Sequence, residues 1–220
     1  MKTIAIIPAR GGSKRLPGKN LMLLDGRPLI AHSIELALAH HDIIDGVFVS
    51  TDDAQIKQTA LDFGAQVIDR PCDLSGDEQP TITALQHVLS ELPDSIENVI
   101  LLQPTNPLRP KKLLMEAFAV YQKNNCNSLM TVSRNHQKFG KIIHHKFVPF
   151  NYQIGQRSQD LEPLYYENGL LYISSTSLIK QGSIMSEDGF PMIVNHPFSW
   201  VDIDTQDDFD YAQYLIQKYK

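Results

Sequence analysis

The 220-residue sequence contains only 2 cysteines, and Cys72 and Cys126 show no C-x-x-C or other metal-ligand spacing. Neither a disulfide framework nor a zinc site is indicated, and a reducing, cytoplasmic setting is expected. Long apolar runs are missing too. The N-terminal run Thr3–Ile7 is broken by Pro8 and Arg10, too short for a signal peptide, and nothing else approaches the ~20 apolar residues of a membrane span. A basic excess is also absent: 20 Lys+Arg against 25 Asp+Glu give a formal net charge of −5. That balance argues against nucleic-acid binding through a broad basic surface. No internal repeat, low-complexity tract or long linker occurs, so one domain over residues 1–220 is expected. There is no G-x-S-x-G, which disfavours covalent acyl chemistry. The 8 histidines fall in no metal or triad spacing.

What remains is a globule of 42% hydrophobic and 20% charged residues. Short Ile- and Val-rich runs alternate with segments of helical period, the pattern of a buried parallel sheet with helices on both faces. The predicted strands are Thr3–Pro8, Val47–Ser50, Gln66–Ile68, Val99–Gln103, Ser128–Ser133, Asn168–Ile173 and Val201–Asp204. The predicted helices are Pro28–Ala39, Asp53–Phe63, Pro80–Leu92, Lys111–Gln122 and one from about Gln206, with Phe209, Ala212, Ile216 and Tyr219 on one stripe. Gly64 reads as a helix stop. The fold class is a three-layer, Rossmann-like α/β sheet. Residues 135–165 break the pattern with short polar and aromatic pieces, expected to be an inserted hairpin.

Charge is unevenly spread. Lys2, Arg10, Lys14, Arg15 and Lys19 occupy the first 20 residues without a single acid. Four of these cations lie in Ile7-Pro-Ala-Arg-Gly-Gly-Ser-Lys-Arg-Leu-Pro-Gly-Lys-Asn20, directly after the first predicted strand. Gly11, Gly12 and Gly18 let backbone N–H groups turn toward an anion, and the cations can neutralise a triphosphate or a pyrophosphate leaving group. The loop is neither a Walker A motif, which needs Ser or Thr after its lysine, nor G-x-G-x-x-G. At the other end, Val201-Asp202-Ile203-Asp204 alternates apolar and acidic residues. In an extended chain both carboxylates share a face, a donor pair that suits Mg²⁺. Helix capping accounts for Asp207 and Asp208 and competes for Asp204.

The glycine-rich segment resembles the signature of the acylneuraminate cytidylyltransferases, which make CMP-activated nonulosonic acids. The resemblance runs from residue 3 to about residue 210. It implies a nucleotidyltransferase fold in which Arg10, Gly11, Gly12, Ser13, Lys14, Lys19 and Asn20 bind CTP, with Asn20 at the cytosine edge. It implies that Asp202 and Asp204 hold the catalytic magnesium. Arg70-Pro-Cys-Asp-Leu-Ser-Gly-Asp77 with Thr81 resembles a nucleotide-contacting segment, although Pro80 and Thr81 equally suit a helix start. Leu101-Leu-Gln-Pro-Thr-Asn-Pro-Leu-Arg109 resembles the segment whose Gln103 contacts the sugar, with Asn106 where serine is common. Arg157–Tyr172 is similar to the acceptor-side motif. There Arg157 offers a fork for the sugar carboxylate, and Asn168 and Tyr172 match, although the tyrosines also suit strand packing. Ile184-Met185 falls where relatives shape the N-acyl pocket. The partners implied are CTP, an acidic nine-carbon sugar and a second copy of the chain bound through 135–165. Legionaminic, pseudaminic and Kdo-type acids stay open as acceptors, the Kdo type disfavoured because Gly11-Gly12-Ser13-Lys14 departs from that family's loop. A silent nucleotide-binding module is the alternative to an enzyme.

Overall fold

The computed structural model describes residues 2–219. Strand β1 (Lys2–Pro8) leads through the glycine-rich loop to a small ribbon, β2 (Leu23–Leu24) and β3 (Arg27–Pro28), and then α1 (Leu29–Ala39). There follow β4 (Gly46–Thr51), α2 (Ala54–Asp62), β5 (Gln66–Asp69), α3 (Thr81–Ser90), β6 (Ile96–Leu101), α4 (Leu113–Asn124) and β7 (Ser128–Asn135). The remainder comprises the hairpin β8 (Gly140–Ile143) and β9 (Lys146–Pro149), the strand β10 (Leu164–Ser175), α5 (Thr176–Lys180), β11 (Phe190–Ile193) and α6 (Gln206–Tyr219).

Seven strands form one sheet in the order β11-β7-β10-β6-β1-β4-β5, and β10 alone runs against the others. The two-residue period of a strand divides β1 between two cores. Ala5 and Ile7 face a cluster with Ile34 of α1, Ile56 of α2 and Leu114 of α4. Ile4 and Ile6 face the opposite cluster, with Leu85 and Val88 of α3 and Ile179 of α5. A strand covered on both faces must be apolar at every position, which is why β1 reads as a continuous Ile-Ala run. β1 is parallel to β4 on one side and β6 on the other. The chain therefore diverges at the carboxyl ends of these strands, where open α/β sheets leave a crevice.

A third cluster fixes the two ends of the chain to each other. Phe209, Ala212 and Leu215 of α6 pack with Val201, Ile203, Leu29 and Leu16, the last from the glycine-rich loop. Among the described residues no helix is long and apolar enough to cross a membrane.

Several boundaries differ from expectation. Pro28 precedes α1 instead of opening it, because the Leu29 N–H bonds back to the Met22 carbonyl at 2.9 Å. Val201–Asp204 is not a strand. The Ile203 N–H reaches the Thr105 carbonyl at 2.8 Å and the Val201 N–H closes the preceding turn on Phe198, so no ladder forms. The alternation survives: Val201 and Ile203 are buried, whereas Asp202 and Asp204 face outward. On α6 the inward stripe takes Leu215, with Ile216 only partly buried. Tyr219 lies past that cluster, 43% exposed, its ring edge-on to His196 and Phe198. The edge strand β11 carries no strand signal in the sequence, because its four residues include Pro191 and show no apolar–polar alternation. In the β8–β9 hairpin, His144 and His145 both adopt positive φ (47° and 61°) as the two-residue turn.

Candidate functional site

The glycine-rich loop is pinned at both ends. After β1, the Ala9 N–H bonds the Ser50 carbonyl at 3.0 Å and the Gly11 N–H donates to Asp52 Oδ1 at 3.0 Å. A Cβ on Gly11 would stand 2.7 Å from Asp53 Oδ2 and 2.8 Å from Asp53 Cβ, so only glycine fits beside this cap. Asp53 itself accepts from the Gln55 and Ile56 N–H groups at 2.8 and 2.9 Å and starts α2. At the far end Gly18, at φ +69°, turns the chain into a short 3₁₀ turn, Lys19–Leu21. That turn sends Lys19 inward, where Nζ donates to the Ile203 carbonyl at 2.9 Å and to Asp204 Oδ1 at 2.8 Å. Arg15 pairs with the other oxygen, Asp204 Oδ2, at 2.6 Å. Arg10 donates to Asp77 Oδ1 at 2.5 Å, and Lys14 pairs with Asp77 Oδ2. Four loop cations are thus held by two carboxylates.

Between the loop and the segment from Arg70 to Thr81 lies a cavity of about 430 Å³. Arg10, Ser13, Lys14, Lys19 and Asn20 line it from the loop, Arg70, Asp77 and Thr81 from that segment, Gln103, Pro104 and Thr105 from the turn after β6, and Asp204 from the stretch before α6. Eight residues proposed from sequence therefore converge here: Arg10, Ser13, Lys14, Lys19, Asn20, Thr81, Gln103 and Asp204. Gly11, Gly12, Arg157, Asn168, Tyr172 and Asp202 do not line this cavity. Gly11 spends its N–H on Asp52, as above. Arg157 lies on the excursion with its fork closed on Asp160 at 2.7 and 3.0 Å. Asn168 is buried and committed: Oδ1 accepts from Thr131 Oγ1 (2.6 Å) and the Leu170 N–H (3.1 Å), and Nδ2 donates to Ser133 Oγ (3.0 Å). Tyr172 donates to Glu167 Oε2 at 3.3 Å. Burial first and the Glu167 charge second push its phenol up to about 12. Asn20 is buried, with Nδ2 donating to the Arg10 carbonyl at 3.1 Å.

Sequence reasoning did not assign the residues that hold these segments. Arg70 is buried, with Nε and Nη2 bonded to Ser50 Oγ (3.0 Å) and the Ser50 carbonyl (2.6 Å). Desolvation lowers its affinity for the proton, opposed by the Asp52 charge and reinforced by Arg10. Arg109 is buried and donates to the Leu170 carbonyl (2.5 Å), Ser33 Oγ (3.0 Å) and the Gln103 carbonyl (2.9 Å). Burial pushes its guanidinium down to about 9, still charged at neutral pH. Asn106 ties the same loop to the Val201 carbonyl (2.7 Å) and the Asn168 carbonyl (3.2 Å). Its approach explains Gly169, where φ is +71° and a Cβ would meet Asn106 Oδ1 at 2.7 Å. The only sequence signal for these roles is an arginine just after a strand or a proline-braced turn.

Asp202 makes no ion pair among the described residues. Although Asp202 faces outward as a residue, partial desolvation of its carboxyl raises it above the usual range, the Thr105 hydroxyl opposes that shift, and the Asp204 charge adds to it. The Lys19 charge opposes the shift as well, and a carboxylate beside another carboxylate is the kind of donor pair that could hold a hard divalent metal. No group of three or more His, Cys, Asp or Glu side chains among the described residues could hold one. The protein donors on offer are thus the two aspartates, with substrate oxygens to complete the shell.

The cytidylyltransferase family model matches residues 4–219. The N-acylneuraminate cytidylyltransferase of Streptococcus agalactiae serotype V is 35% identical over 217 residues, covering 95% of this chain and 52% of that protein. The chain thus spans about half the length of that relative. The CMP-N,N'-diacetyllegionaminic acid synthase of Legionella pneumophila is 33% identical over 237 residues, covering 99% of this chain and 97% of that protein. Among solved structures, a CMP:2-keto-3-deoxy-manno-octonic acid synthetase complexed with CTP superposes with a TM-score of 0.74 at 19% identity, covering 100% of both chains.

Proposed function

Because the chain belongs to the cytidylyltransferase family, we propose that it transfers CMP from CTP to the anomeric hydroxyl of an N-acylneuraminate-type nonulosonic acid and releases pyrophosphate. The observation that carries this reading is the meeting of the chain's two charged poles at one cavity: Lys19 bonds both Asp204 and the Ile203 carbonyl beneath Arg10, Arg15 and Lys14. Such a site suits a polyanion whose reaction needs charge neutralisation and in-line positioning more than covalent chemistry.

In this reading Arg10, Lys14 and Lys19 hold the phosphates, and Asn20 and Thr81 flank the nucleoside. Gln103 presents its amide to the sugar, backed by the Arg109 clamp on its carbonyl. Tyr172 and the buried Asn168 would act on the acceptor side only from outside the cavity lining, and Arg157 would have to leave Asp160 to meet the sugar carboxylate. Asp202 and Asp204 are the residues that would hold magnesium, which supplies charge withdrawal at the transferred phosphate. Arg15 and Lys19 have to release Asp204 for that, and the phosphates give them the better partner. Fixed cations at the departing pyrophosphate cost no reorganisation when charge builds there.

The protein acts as a homodimer in this account. Phe139, Ile142, Phe147, Phe150 and Ile154, on and around the β8–β9 hairpin, expose large apolar surface, Ile142 and Ile154 above 75%. Such a patch marks a protein interface. The acceptor is tested by a panel of N-acetylneuraminic, legionaminic, pseudaminic and Kdo-type acids at fixed CTP and Mg²⁺, read by pyrophosphate release. N-acetylneuraminic acid is expected to lead. A legionaminic acid preference would reassign the acceptor, a second reading favoured by the near full-length match to the Legionella enzyme. CTP binding without turnover on the whole panel would leave only a nucleotide-binding module.

A further inference from the structure

Asp77 stands where the substrate's charge has to go. It lies on the segment that faces the phosphate loop across the cavity. That segment is anchored at one end by buried Arg70 on Ser50 and at the other by the start of α3 at Thr81. From Ser75 to Pro80 it has no regular structure, and a Gln79 to Gly76 turn at 3.2 Å is its internal backbone tie. Its grip on the phosphate loop is electrostatic: Asp77 Oδ1 accepts from Arg10 and Oδ2 from Lys14. One carboxylate bridges two cations of the site.

We propose that Asp77 is an internal competitor for the phosphates, holding Arg10 and Lys14 in the unliganded protein, yielding them to CTP and taking them back as pyrophosphate leaves. This rests on the proposed transfer from CTP. The direction of the exchange is set by whether the polyphosphate is present, for simple reasons. Ion pairs between exposed groups are weak, so a polyphosphate with several charges and many acceptor oxygens displaces a single carboxylate. The carboxylate stays tethered nearby, so it recaptures the cations at high effective concentration once the anion loosens. Lys14 first and Arg10 second hold the Asp77 carboxyl below its usual range, so it remains a competing anion throughout the neutral range and the device is not a pH switch.

The test is calorimetric binding of inorganic pyrophosphate alone, at fixed ionic strength, to the full chain and its D77N, D77S and D77E variants. D77N and D77S are expected to bind pyrophosphate roughly two- to tenfold more tightly, the scale of two exposed ion pairs, with D77E near the parent. Stopped-flow release is expected to slow in D77N by a similar factor. Unchanged or weaker binding in both D77N and D77S would overturn the proposal. The measurement needs no acceptor and no turnover. Tighter binding in variants of a protein that activates no sugar would sustain the Asp77 role while removing the transfer reading. Turnover without the gain would do the reverse.

Discussion

Gly11 carries more of the site than its missing side chain suggests, because its N–H, its α-carbon and the Asp53 cap share one small space. Gly11→Ala forces Asp53 away from the first turn of α2, with an expected loss of about 1–3 kcal/mol of stability, checked by urea unfolding. Arg109 acts at the same scale. Arg109→Met keeps much of the volume but leaves the Leu170 and Gln103 carbonyls without their donor. The expected cost is about 2–4 kcal/mol by the same measurement, with Arg109→Lys recovering part. The cations were legible in the sequence because Arg and Lys interleaved with glycines, directly after an apolar strand, suit an anion far better than they suit a plain connecting turn. Asn168 and Arg157 were harder to place. Sequence shows an amide or a fork but not whether its hydrogen bonds are already spent, and Asn168 spends three on Thr131, Ser133 and Leu170.

At the scale of elements, the strands and helices that the two periodicities define were readable, and the exceptions have physical causes. Val201–Asp204 has strand-like alternation because one side packs on α6, yet it lacks a neighbouring strand to pair with. Periodicity reports burial, and pairing is a separate matter. The β8–β9 hairpin offers Ile142 and Phe147 to solvent, where a lone two-stranded hairpin is only marginally stable. Ile142→Asp combined with Phe147→Asp is expected to halve the mass seen by light scattering at working concentration, with the sheet domain still folded by circular dichroism. A monomeric mass for the unaltered chain would remove the dimer from the account.

Over the whole molecule, the net charge of −5 conceals two poles. Five cations open the sequence, and Asp202, Asp204, Asp207, Asp208 and Asp210 crowd its last twenty residues. Neither pole alone specifies a site. The sheet order sets β1 in the middle, the Leu16–Ile203 packing closes the ends together, and Lys19 meets Asp204 at 2.8 Å. This convergence could not be read from sequence, because it depends on contacts between residues more than 180 positions apart. A site assembled from exposed charges is screened by salt, so KM for CTP is expected to rise steeply with added potassium chloride while kcat changes little. The measurement that bears most directly on the central claim is turnover by Lys19→Ala, read as pyrophosphate release at saturating CTP and Mg²⁺ with the best acceptor. A kcat lowered about 10²–10³-fold is expected for losing one preorganised cation at the departing phosphate. Near-normal kcat in a folded Lys19→Ala protein would contradict the account.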